Sequence, residues 1–166
     1  MRLLGGIGAL IICLLWGNSK ARALSMRHDI MQCFAGDIRD FAAELEYRPQ
    51  DIKDITKKLY TRELGAFWRE FVRAMMDYTS AEQAWLKAVG KYDEFDVLSP
   101  QERMLIKETG RSIGKQNLKD SVSSMKRRAE QAEQYAMELS ELIKNKGTVY
   151  RKLGLLGGLA VMLLMV

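Results

Sequence analysis

What this chain has little of narrows the field first. Two prolines in 166 residues leave long stretches free to be helical, since proline is the strongest interruption of a helix. One histidine and two unclustered cysteines supply no ligand set, so no metal and no cofactor is expected. Cys13 lies inside an apolar run and Cys33 in the body, so both are expected to be reduced, small apolar residues. Lys and Arg outnumber Asp and Glu, 26 to 21, but the signs are interspersed and no block of five like charges occurs. No basic stripe is interleaved with stacking aromatics, so nucleic acid is not an expected partner. No alternating run is long enough for a strand. No nucleophile, base and orienter can be brought together, and no enzyme is expected.

What is present is a helical seam. From Leu118 to Lys146 the apolar or small residues are Leu118, Val122, Met125, Ala129, Ala132, Ala136, Leu139 and Ile143, in steps of 4, 3, 4, 3, 4, 3, 4. Such a repeat predicts one long helix with a narrow sticky edge. Alanine at three successive seam positions admits a partner helix closely. A second long helix is expected from about Lys20 to Glu46, with Met26, Ile30, Cys33, Phe34, Ile38, Phe41 and Leu45 on one face. The two are expected to lie antiparallel, seams facing.

Both ends are apolar. Leu3 to Trp16 and Leu153 to Val166 are uncharged runs of 14 residues each. That is ~21 Å of helix, short against a hydrocarbon core of ~30 Å. Counting from Val149, with Arg151 and Lys152 snorkelling, recovers ~27 Å at the second end. The positive charge flanking each run lies mainly on the body side: Lys20, Arg22 and Arg27 after the first, Lys144, Lys146, Arg151 and Lys152 before the second. This places the body in the cytoplasm. Ala21-Arg22-Ala23 has the small-x-small shape of a cleavage site, which keeps a signal peptide as the alternative. Gly5 and Ala9, and again Gly154 and Gly158, have the spacing of close membrane-helix packing.

Between the ends, Pro49 stops the first long helix. Helices are expected over Asp51 to Leu64 and over Ala66 to Tyr78, the latter with Phe67, Phe71, Met75 and Tyr78 inward and Trp68 beside the stripe. Ser80-Ala-Glu-Gln83 is a capping box opening a helix that buries Ala81, Ala84, Trp85, Ala88 and Val89. Asp93-Glu-Phe-Asp96 reads as a solvated connector. Ser99-Pro100-Gln101-Glu102 is the clearest start signal, and Ile113-Gly114 the stop. Gly110 to Gln116 imitates a phosphate loop but has three residues between its glycines and Gln in place of Ser or Thr, so it is read as a helix-ending turn.

The ordered set of Leu3-Leu4-Gly5, Glu44-Leu-Glu-Tyr47, Leu64 to Phe71, Gln83-Ala-Trp85, the Ile113-Gly114 turn, the Glu/Gln/Ala-rich last helix and Leu153-Gly-Leu-Leu-Gly-Gly158 resembles the stage III sporulation protein AB family. The resemblance covers nearly the whole chain. Pro49 stands earlier than the family's Thr-Pro-Leu, Ile52 takes the leucine's place, and Asn117 and Ser121 stand near the family's acidic residue and glutamine. It implies a cytosolic helical domain similar to the platform protein of type II secretion and type IV pilus machines. It implies a mother-cell membrane protein of the apparatus linking mother cell and forespore, with a secretion-type ATPase and other membrane components of that channel as partners.

The expected fold is therefore all-α: an antiparallel bundle of about six helices with an apolar membrane helix at each end. Residues 1–18 and 149–166 would be membrane segments and 19–148 the cytosolic bundle. The expected function is a non-enzymatic platform or adaptor, alone or as a homo-oligomer. The alternative is a secreted helical protein with a cleaved signal and a membrane-seeking tail. Lys126-Arg127-Arg128 is the candidate docking site for an acidic partner surface.

Overall fold

The computed structural model describes residues 2–48, 52–77, 80–113, 117–147 and 156. Among them are six α-helices and no strand: α1 Arg2–Tyr47, α2 Ile52–Lys57, α3 Gly65–Asp77, α4 Ala81–Lys91, α5 Pro100–Ile113 and α6 Leu118–Leu142. A 3₁₀ helix, Asp93–Val97, joins α4 to α5, and a π-helical turn, Ile143–Gly147, follows α6. Two compact units are distinguished, Asp29–Ala136 and the remainder at both ends. In the end unit, Ala21 and Leu139 are buried, and the Ser25 hydroxyl donates to the Ala21 carbonyl at 3.4 Å.

In the Asp29–Ala136 unit the seam of α6 is buried as its repeat predicts, from Val122 through Met125, Ala129 and Ala132 to Ala136. Arg39 pairs with Glu133, and Lys126 with Glu46 at 2.8 Å. As one number rises the other falls, so α1 and α6 run antiparallel. In α1, Ile30, Phe34, Ile38, Phe41 and Leu45 are buried, but so are Met31, Ala35 and Ala42. Its buried arc is wider than one seam because α1 also receives α3: Phe41 stacks on Trp68 at 5.6 Å. Met26 is exposed and Cys33 half-buried, contrary to the expected stripe.

The core is aromatic. Trp85 of α4 meets Phe34, Phe67, Trp68 and Phe71 with ring centres 4.9–6.3 Å apart. Trp68, expected beside the stripe, is wholly buried. The indole N–H of Trp85 donates 2.8 Å to the Ile106 carbonyl of α5, and its ring fills the notch left by Gly110. Gly110 is therefore a packing residue inside α5 and not part of a helix-ending turn.

Two expectations are revised. The helix expected over Asp51 to Leu64 is only six residues long. Beyond Lys57 the chain closes i+3 hydrogen bonds, from Lys58 to Ile55 up to Gly65 to Arg62. A Cβ on Gly65 would lie 2.1 Å from the Tyr60 carbonyl, so that return needs glycine. The connector at Asp93–Val97 is helical and buries Phe95 among Phe67 and Tyr92. Separately, no helix among the described residues is long and apolar enough to cross a membrane, which leaves the expected membrane helix at each end unsupported there. The first apolar run, Leu3 to Trp16, is the beginning of α1 and leads without a break into Asn18-Ser19-Lys20. The second run lies outside the described residues apart from Leu156.

The start signals act as read. Gln83 N–H donates to the Ser80 hydroxyl at 3.2 Å. Ser99 N–H donates to the Glu102 carboxylate at 2.7 Å, and Glu102 N–H returns to the Ser99 hydroxyl at 3.3 Å. This reciprocal box satisfies two donors that a helix start leaves open.

Candidate functional site

The basic run sits mid-way along α6, where consecutive residues are turned ~100° apart. The structure splits it between two faces. Lys126 points towards α1 and pairs with Glu46 at 2.8 Å. Arg128 points towards α5, pairing with Glu108 at 2.9 Å and donating to Gln131 at 3.1 Å. Arg127 is exposed and has no ion pair among the described residues. The three cations are not brought to one contact. Gly5 and Ala9 lie within α1, while Gly154 and Gly158 lie outside the described residues.

Beside Arg128 runs a groove of about 220 Å³ between α5 and α6, lined by Gln101, Met104, Leu105, Glu108, Arg128, Gln131 and Tyr135. The Arg128–Glu108 pair and a 2.9 Å Ser112–Ser124 hydroxyl contact set α5 and α6 antiparallel along it. Met104 is 60% exposed here, off the buried face formed by Leu105, Ile106, Thr109 and Ile113. A second groove lies where α1 meets the turns after α2, lined by Asp29, Gln32, Cys33, Gly36, Asp37, Thr61, Arg62 and Glu63.

The chemistry in that second groove is structural. Burial, and then the hydrogen bond from Sγ to Glu63 at 2.8 Å, push the Cys33 thiol up to about 12. It stays protonated at neutral pH and is a poor nucleophile. Asp37 accepts from Trp68 Nε1 at 2.6 Å and from Arg62 at 3.0 Å, and Arg62 also grips Asp40. Burial raises the Asp37 pKa above the usual range, while those two donors pull it down. The trio ties α1, α3 and the intervening turns together. Among the described residues no group of three or more His, Cys, Asp or Glu could hold a metal ion.

Sequence reasoning missed this trio. Its one signal was an aspartate, Asp37, amid the apolar positions of α1. It also missed the α5 side of the groove, signalled by a methionine off the helix's apolar face.

Taken together, these features define an all-helical protein whose surface offers grooves and charge pairs, with Phe34, Phe41, Phe67, Trp68, Phe71, Trp85 and Phe95 spent on the core. The sequence profile of the stage III sporulation protein AB family matches residues 2–166, and the chain belongs to that sporulation family. No curated protein and no solved structure matches the chain.

Proposed function

We propose that the chain is a platform or adaptor protein in the membrane apparatus linking mother cell and forespore, with its helical body on the cytoplasmic side. One observation carries this reading: of the sequence's two apolar runs, Leu3 to Trp16 opens α1, the longest helix, and Leu153 to Val166 follows α6, the second longest, in the sequence. Neither run is long enough to be a comfortable span alone. Held by both, the body would sit against the inner leaflet, presenting its polar faces to a secretion-type ATPase and to membrane neighbours. The charge asymmetry around both runs supports the orientation. The signal-peptide alternative is less well supported, since α1 continues unbroken through Ala21-Arg22-Ala23 and Ala21 is buried.

The test is accessibility of a cysteine in the connector. In a background with both native cysteines replaced, Cys13→Ser and Cys33→Ser, Asp93→Cys places the one thiol at an exposed position. It is expected to resist a membrane-impermeant maleimide in intact sporulating cells and to react once they are permeabilised. Labelling in intact cells would overturn the orientation.

A further inference from the structure

The α5–α6 groove joins an exposed apolar lip and a basic surround. Its lip is apolar and exposed: Met104 stands 60% exposed, over Leu105 and next to the half-buried Tyr135. Its surroundings are basic. Lys107 and Arg111 are three and seven residues on from Met104, along the same ridge of α5, and both are exposed. Arg127 is four residues before Gln131, a lining residue, on the neighbouring ridge of α6. With Arg128, four cations stand against three carboxylates: Glu108 held by Arg128, Glu82 held at 3.5 Å by Arg111, and the exposed Glu130 three residues after Arg127. Lys107 and Arg127 have no ion pair among the described residues. On the α1 side of the same unit, Arg39, Lys58 and Lys126 each have a carboxylate, in Glu133, Glu44 and Glu46.

An exposed methionine, a tyrosine and an arginine without an ion pair among the described residues, Arg127, are residue types enriched at protein interfaces, where a rim of one sign selects a partner of the other. The groove's volume of about 220 Å³ is below the roughly 300–1,000 Å³ of small-molecule sites, and suits one or two side chains. We infer that this groove docks an acidic amphipathic helix of a protein partner. An apolar anchor of that helix seats beside Met104, over Leu105 and Tyr135, and its carboxylates meet Lys107, Arg111 and Arg127. The inference rests on the proposed cytoplasmic orientation of the body. It moves the docking face from the whole basic run to the α5 side of α6, leaving Lys126 out.

The experiment uses the full-length chain in sporulating cells, with p-benzoylphenylalanine at Met104. Irradiation is expected to give a protein adduct whose cross-linked peptide maps to a carboxylate-rich helix. Lys107→Glu with Arg127→Glu should lower the adduct about tenfold or more, a change equal to one decade of affinity. Lys126→Glu should leave it within about twofold, which also shows that charge reversal on α6 does not unfold the chain. No adduct, an adduct with lipid or with a second copy, or an adduct indifferent to the Lys107 and Arg127 reversals would overturn the proposal. The Asp93→Cys labelling, run in the same cells, reports separately on the orientation.

Discussion

A Cβ built on Gly110 would lie 2.3 Å from Cδ1 of Trp85, closer than side chains ever pack. At Gly36 the same atom would meet nothing within 4 Å. Both glycines are helical with ordinary backbone angles. Gly110→Ala should therefore cost about 1–3 kcal/mol through overpacking, and Gly36→Ala should add about 0.5–1 kcal/mol by restricting the unfolded chain. Denaturant midpoints by tryptophan fluorescence, on the full-length chain in mild detergent, would check both signs. Asp37 gives a second contrast. Asp37→Ala orphans the buried indole N–H of Trp68 and should cost about 1–3 kcal/mol, whereas Asp40→Ala loses only an exposed pair, worth under about 1 kcal/mol. Equal midpoints for the two alanine variants would refute the clamp. Neither site was legible beforehand. A glycine near a helix end reads as a stop, and an aspartate among apolar residues reads as solvated, until the opposing tryptophan is known.

At the scale of elements, the seam of α6 is the strongest case of sequence acting directly. Ala132 is fully buried, and the neighbouring Glu133 pairs with Arg39 on α1. Ala132→Glu should bury an unpaired charge and cost several kcal/mol. Glu133→Lys breaks only a half-exposed pair and should cost no more than about 1 kcal/mol. Melting of the full-length chain followed by circular dichroism distinguishes them, and equal melting temperatures would sink the α1–α6 pairing. Heptad spacing and capping boxes were readable because both are local: their partners lie within a turn or two of the same helix. α2 was misread in length for the opposite reason. Its apolar spacing, Ile52, Ile55 and Leu59, continues past the helix end, yet the chain turns back after Lys57, so that Arg62 reaches Asp37 and Asp40 and Gly65 passes against the Tyr60 carbonyl.

For the whole molecule, two short apolar ends should act together. Hydrophobic attachment grows with buried area, so two linked runs hold far more tightly than one. Deleting residues 3–16 or 153–166 alone should leave most of the chain with the membrane fraction, while deleting both should release it into the alkaline-carbonate supernatant. Release by either single deletion would contradict joint anchoring. The sequence by itself determined the helical class, the seam, the helix starts and the family, because periodicity, caps and the order of motifs are written along one dimension. Only the tertiary structure decided which cations are spent and which are open. Lys126 and Arg128 find carboxylates that stand 80 and 20 residues away, at Glu46 and Glu108, while Arg127 between them finds none among the described residues. Charge along a helix is a property of the sequence, but its neutralisation depends on what each neighbouring helix carries at the same height, and packing alone sets that register.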